Sequence, residues 1–431
     1  MDGNQTQSGQ PRHDPFAALR FGDFRLLVVG SFIAVIAEQM LGVAVGWDLY
    51  LRTNSPLALG LVGLVEIVPV ILLALPAGHI ADRWNRKWIV VAAVGVVAAC
   101  TLGLGGLSAA AGPLLGIYGL LFGIGLARAF QSPAFSSLTA QVVPPESFGS
   151  AATWSSGAWQ TASIIGPAAG GLLLATSLGP VSVYVGAGFG LLLSAALLAL
   201  MHPIVAERVA EPEPLSISSL LAGARFIRST PEILAAITLD MFAVLLGGAT
   251  ALLPVFARDI LQVGAVGLGW LRAAPAIGAL TAALVMTLLP PFRRAGSTLL
   301  LVVAGFGVAT IIFGLSLSFW LSLAMLAILG ALDNISVVIR STLLLTRTPD
   351  AVRGRVNAVH YVFIGISNEL GAFESGVAAA FLSAVGAVVA GGVGTILVVA
   401  VVAARWPQLR RLGRLDGRGE KAAPEATEGI A

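Results

Sequence analysis

The sequence predicts an all-α membrane protein, with twelve transmembrane helices in two pseudo-symmetric six-helix bundles. Three observations predict it. The chain of 431 residues is 57% hydrophobic and only 11% charged, whereas a soluble domain has about a quarter of its residues charged. The apolar residues fall into twelve segments of spanning length, about 20 residues each. One polar pattern also occurs twice: Val143-Pro144-Pro145-Glu146-Ser147-Phe148-Gly149-Ser150 and Thr348-Pro349-Asp350-Ala351-Val352-Arg353-Gly354-Arg355. Pro144 aligns with Pro349 and Gly149 with Gly354 at an offset of 205 residues, and Gly60 aligns with Gly269 at 209.

The expected spans, in order, are 26–51, 58–78, 88–109, 113–139, 150–176, 180–200, 232–257, 266–289, 297–317, 319–345, 355–382 and 386–404. Turn-forming clusters separate many of them, such as Thr53-Asn54-Ser55-Pro56, Ala111-Gly112-Pro113 and Leu289-Pro290-Pro291. The longest polar break, 201–231, divides the chain into six plus six spans. Residues 1–25 then form an N-terminal segment, 26–200 one bundle, 201–231 a linker, 232–404 the second bundle and 405–431 a disordered tail. Residues 215–229 suit a short amphipathic helix on the membrane surface. The first 20 residues are polar, with no apolar core behind a charged start, so no cleavable signal peptide is expected.

Basic residues set the orientation, because Lys and Arg concentrate on the cytoplasmic side. With the N-terminus inside, 20 of the 25 lie in inside segments and two, Arg52 and Arg258, in outside loops. Both termini are therefore expected in the cytoplasm of a cell with a bacterial-type inner membrane.

Composition also excludes several classes. The net charge is only +3, and no basic stretch is interleaved with aromatics, so nucleic-acid binding is not expected. Cys100 is the only cysteine, and no His, Cys and acid cluster has metal-ligand spacing. Neither Lys87 nor Lys421 sits in a phosphate-cradling Gly-Lys-Ser/Thr string. No cofactor, metal or nucleotide motor is expected, which leaves an ion gradient or the substrate itself as the energy source. No nucleophile–base constellation points to an enzyme.

Between spans two and three stands Gly78-His79-Ile80-Ala81-Asp82-Arg83-Trp84-Asn85-Arg86-Lys87. This is a tight loop in which Asn85 suits a left-handed turn position. Gly125-Leu126-Ala127-Arg128-Ala129-Phe130-Gln131-Ser132-Pro133 runs through span four, and Gly166-Pro167-Ala168-Ala169-Gly170-Gly171 through span five. By these strings the chain resembles the major facilitator superfamily: the first is similar to its loop signature, the second to its fourth-helix motif with a buried Arg, the third to the end of its antiporter motif. With Leu59-Gly60-Leu61-Val62-Gly63-Leu64 and Pro69, the resemblance is nearest the drug-efflux branch that contains enterobactin exporters. It covers about residues 20–405. Asn85, Thr153 and Ala162 depart from the family's usual Gly. The resemblance implies export, and it implies that Asp82 and Arg83, within the set Gly78, Asp82, Arg83, Arg86 and Lys87, latch the inner ends of the two halves.

On the residues themselves, Pro167 kinks span five. Gly166 and Gly170, four apart, admit a close backbone. Packing and gating both remain open for Gly166, Pro167, Gly170 and Gly171. Gly42 and Gly46 have the same spacing and read as packing.

Ionisable residues inside spans are costly and mark candidate sites. They are Glu38 beside Gln39 in span one, Glu66 in span two, Arg128 with Gln131 in span four, Asp240 in span seven, Asp333 with Asn334 in span ten, and Glu369 and Glu374 in span eleven. Trp154 and Gln160 of span five are candidates to line a cavity. Asp48, Arg272 and Arg340 lean towards structural or interfacial roles. A duplicated bundle is the plan of many secondary transporters, whose site lies between the halves. The expectation is a monomeric, proton-coupled exporter of an amphipathic small molecule, with Glu38 and Asp333 as the first coupling candidates and Arg128 moving relative to them. A uniporter or importer of a small polar solute is the alternative among transporters; a receptor or intramembrane enzyme is the alternative outside them.

Overall fold

The computed structural model describes residues 14–139, 141–202, 217–290 and 292–413, and all regular structure among them is helical. The side chains of Gly78, Asp82 and Arg83, expected in the latch, lie outside the described residues. The first half comprises α1 (Gly22–Thr53), α2 (Pro56–Arg83), α3 (Arg86–Ala109), α4 (Leu114–Thr139), α5 (Phe148–Leu174) and α6 (Pro180–Ala199). Then come α7 (Ile217–Ser229), α8 (Pro231–Leu246), α9 (Gly264–Leu288), α10 (Ala295–Leu315), α11 (Phe319–Arg347), α12 (Asp350–Arg405) and the single-turn α13 (Pro407–Arg411).

Ten helices among the described residues are long and apolar enough to cross a membrane by length and composition. α12 supplies two spans rather than one, because Ser383 (φ 73°, ψ 163°) breaks the run. Gly371 and Gly391, one on each arm, both lie against residues 244–246 of α8, so the chain reverses between them. α5 carries Thr153, Ser155, Ser156, Gln160, Thr161 and Ser163 and is not among the ten, yet it packs as the fifth span, against α1, α6 and α9. The twelve expected spans are thus accounted for.

Local chemistry sets the ends. Pro56, Pro180 and Pro231 occupy first-turn positions of α2, α6 and α8, where a missing N–H costs nothing. Asn54 ends α1 in the left-handed region, φ 48°. Asn85 does not take the left-handed conformation expected of it: at φ −65° it caps α3, its side chain accepting the backbone N–H of Lys87 at 3.0 Å. A polar side chain ahead of a helix N-terminus satisfies a donor that the turn would leave bare.

The seventh span is interrupted where one continuous helix is expected. After Leu246 the chain passes through Gly247 and Gly248, a 3-10 turn (Ala249–Leu252) and a π segment (Phe256–Ile260). Two successive glycines weaken the helix, and Gly248 is held against α12: a Cβ there would lie 2.6 Å from the Gly371 carbonyl oxygen. Irregular backbone is tolerated at membrane depth only where protein buries it or it lines a cavity.

Two seams join the halves, α2 with α12 and α5 with α9. Each is closed by a glycine pair. A Cβ on Gly60 would lie 2.9 Å from the Cα of Gly376, and one on Gly171 would lie 2.8 Å from the Cα of Gly269. Gly60 and Gly269 are the repeat-related pair read in the sequence; Gly171 and Gly376 are themselves 205 apart. Close approach without side chains is how membrane helices gain contact when no hydrophobic drive exists between them. α7 docks on the start of α12, Gly223 lying against Arg355 and Val359. Both ends of the described chain lie at one end of the bundle, termed terminal here; the connections at 54–55, 110–113, 175–179, 261–263 and 316–318 lie at the other, distal end.

Candidate functional site

A cavity of about 330 Å³ lies between the halves. Glu38, Gln39 and Gly42 of α1, Glu66 of α2, Arg128 of α4, Arg272 of α9 and Asn368 and Glu369 of α12 line it, together with Thr250 and Pro254 from the interrupted seventh span. Six helical segments, three from each half, thus meet at one polar space.

The charges are ordered. Arg128 forms an ion pair with Glu66 through one guanidinium nitrogen, while the other lies 3.8 Å from Glu38. Arg272 crosses from the second half to the first and donates to the Gly42 carbonyl oxygen at 3.3 Å. A Cβ on Gly42 would lie 2.7 Å from its guanidinium, so the small residue read as helix packing makes room for a cation. Glu369 lies over bare backbone of α2, its Oε2 3.1 Å from where a Cβ on Gly63 would stand, and it lies in the field of Glu66, Arg128 and Arg272. Three carboxylates and two guanidiniums, contributed by both halves, thus face one cavity.

The remaining candidates are placed as follows. Gln39 lines the cavity and also packs on Gly166, whose Cβ would lie 2.6 Å from the Gln39 Cβ. Gly170 lies against Met40, Gly171 forms the α5–α9 seam, and Pro167 offers its carbonyl oxygen 2.6 Å from a Cβ on Gly269. Gln160 bridges the halves, donating to the Ala276 carbonyl oxygen at 2.7 Å. Trp154 sits at the terminal end, where its indole N–H donates to Pro15 at 3.1 Å and its ring meets Phe16. The Gln131 and Asn334 side-chain oxygens are buried without a hydrogen-bond partner. Glu374 lies one turn beyond Glu369 on α12 and is not among the lining residues. Lys87 is buried, donates to the Met201 carbonyl oxygen at 2.5 Å and lies over the Trp88 ring; it ties α3 to the end of α6. Arg86, half-buried, opens α3.

The second half holds a separate charged group. Asp240 of α8 pairs with Arg340 of α11, which is 2% exposed. Arg340 is therefore a core ion-pair member and does not snorkel to an interface. Asp333 shares a small pocket with Asp240 and Ser336.

The distal end carries a set of contacts between the halves, a candidate latch, that sequence reasoning missed. The Tyr50 hydroxyl donates to the Asp259 carboxylate, Arg258 donates to Asn54 at 2.6 Å, and the Arg258 guanidinium lies over the Tyr50 ring. These contacts join α1 to the π segment of the seventh span. Arg258 was legible only as a loop cation. Its partners depend on the π segment, a feature often found at functional sites. Arg272 was equally hidden, because a residue two turns from a helix end reads as one that reaches for the interface. Gly42 and Gly46 on the facing helix were the available signal.

Comparison with known proteins follows the same lines. A family model described as transmembrane secretion effector matches residues 13–426. The chain is 29% identical to the enterobactin exporter EntS of Shigella flexneri over 396 residues, covering 90% of this chain and 92% of that one, and 28% identical to EntS of Escherichia coli O157:H7 over the same shares. Among solved structures, a bacterial homologue of the human lysosomal transporter Spinster superposes with a TM-score of 0.71 at 16% identity, covering 90% of this chain and 96% of that one. A peptide transporter, POT, superposes at 0.72 with 11% identity, over 91% and 96%. The twelve-span duplicated fold, the charged cavity between its halves and the match along nearly the whole sequence agree: the chain belongs to the transmembrane secretion effector family of major facilitator superfamily transporters.

Proposed function

We propose that the chain exports an amphipathic small molecule, drug-like or siderophore-like, across the inner membrane in exchange for protons, by rocking of its two halves about the central cavity. The observation that carries this reading is the cavity itself, with three carboxylates and two guanidiniums contributed by both halves. Its polar groups suit the polar part of an amphipath, and Leu41, Val45, Leu59 and Val62 on its wall suit the apolar part. Relatives named as enterobactin exporters support the direction and the substrate class. The basic-residue bias supports both termini in the cytoplasm, which would turn the terminal end inward and the distal end outward. The reading takes the chain as a monomer, in keeping with the two seams that join its halves within one molecule.

The test is efflux and counterflow in proteoliposomes, with and without an imposed pH gradient, over a panel of enterobactin, other siderophores and cationic and neutral drugs. Flux of at least one amphipath that accelerates with the gradient is expected. Flux indifferent to the gradient would make the protein a uniporter.

A further inference from the structure

The first half carries a groove on its outer face, apart from the central cavity. α2 and α3 both pack on α4 but scarcely touch each other. α4 therefore forms a floor between two walls, and the space left is about 750 Å³. Small side chains keep it open: Ala92 and Ala93 on α3 and Ala127 on α4. Trp84, 71% exposed, and Trp88, 55% exposed, stand at its terminal end. Val96, 44% exposed, marks its deep end. Leu126 and Phe130 of α4 face the groove, two residues to either side of Arg128, which lines the central cavity instead. At 3.6 residues per turn, a side chain two positions away points roughly 200° round the helix.

From Asn85 to Val96 the chain of α3 rises about 16 Å, at 1.5 Å per residue. One leaflet of the hydrocarbon core is about 15 Å deep, half of the whole. The groove thus runs the depth of one leaflet, the one at the terminal end. Below its mouth the lining is apolar. At the mouth, the connection Asp82-Arg83-Trp84-Asn85-Arg86-Lys87 holds three bases and one acid in sequence. Arg86 is half-buried there, and Lys87 lies over the Trp88 ring. Asp23 lies in the field of Lys87 but is held by the His202 ring at 3.0 Å. Two tryptophans at one depth suit the headgroup level, where such amphipathic rings concentrate.

The occupant that fits is apolar for one leaflet's depth and anionic at one end only. A helix from a second copy would run on past the midplane, whereas the groove stops at Val96. A polar solute would find no partner below the mouth. We infer that the groove binds one phospholipid with an anionic headgroup, its acyl chain along Ala92 and Ala127 and its headgroup beside Asn85 and Arg86. Seated there, the chain packs on the back of the α4 turn that carries Arg128, and the headgroup meets the connection between α2 and α3. Its seat is separate from the cargo cavity and calls for no proton coupling.

Native mass spectrometry of the full chain in detergent tests this. Delipidated protein is titrated with phosphatidylglycerol and with phosphatidylcholine of the same acyl chains. The first phosphatidylglycerol should bind roughly fivefold more tightly than the first phosphatidylcholine, the gain that one basic residue near a membrane surface supplies. Arg86→Gln should remove most of that preference while keeping phosphatidylcholine, and Arg86→Lys should retain it. Ala92→Phe, at an exposed position in the groove, should lose the first lipid of both kinds. Val401→Phe, at a residue 63% exposed on the second half, should lose neither. If Ala92→Phe is not recovered as folded protein, Val96→Trp is read in its place. Unchanged lipid binding in the groove variant, or equal binding of the two lipids by the parent protein, overturns the assignment. A dimer of the parent protein that Ala92→Phe dissolves also overturns it, by making the groove an interface between copies.

Discussion

Arg128 is the residue on which the central site turns. It stands between Glu38 and Glu66 and keeps part of its side chain, 32%, accessible to the cavity. Removing one partner of a fully buried pair costs about 3–5 kcal/mol; partial exposure lowers that here. Arg128→Gln should therefore reduce the unfolding temperature modestly and abolish transport, and the charge exchange Glu66→Arg with Arg128→Glu should recover more stability than either single change. Thermal unfolding in detergent checks this, and equal instability of the exchange and the singles would contradict it. Arg272→Gln should spare folding more, because its one hydrogen bond to a carbonyl is long, yet it should weaken substrate-driven flux in proteoliposomes. Glu38, Glu66 and Arg128 were legible as single residues, since ionisable groups in apolar segments announce themselves. Which of them meet was not legible, because residues 62 apart in sequence, Glu66 and Arg128, become neighbours only when α2 packs on α4.

At the scale of elements, the distal contacts and the glycine seams join the two halves. Tyr50→Phe combined with Arg258→Ala removes the Tyr50–Asp259 and Arg258–Asn54 hydrogen bonds. Losses of about 1–3 kcal/mol shift a two-state equilibrium roughly 5–150-fold. A cysteine replacing Gly46, just inside the latch and 3.1 Å by its Cβ from Pro254, should then react faster with a membrane-impermeant maleimide added from outside. An unchanged rate would mean that the latch does not hold the closed end. Gly269→Leu should act the same way by wedging the α5–α9 seam, at an overpacking cost of about 1–3 kcal/mol. Span positions were read within a few residues from apolar runs and turn clusters, because the bilayer demands continuous helix of a set length. The break in the seventh span escaped, because Gly-Gly is tolerated in many membrane helices; contact with Gly371 makes it a break here.

For the whole molecule, the proposed orientation, with both termini in the cytoplasm, would turn the distal end outward. A cysteine at Ala422 in a Cys100→Ser background should resist impermeant reagents in intact cells and react after permeabilisation. Labelling in intact cells would invert the molecule and with it the export direction. By itself, the sequence determined that the protein is a duplicated twelve-span bundle with charges inside its spans, because hydrocarbon thickness, backbone hydrogen bonding and the distribution of basic residues act on the chain segment by segment. Only tertiary structure decided the pairings: Arg128 with Glu66, Arg340 with Asp240, Arg272 against Gly42, Tyr50 with Asp259, and Gly60 against Gly376. Each joins residues on different helices, and helix rotation and depth, which set such meetings, leave no trace in the spacing along one helix alone.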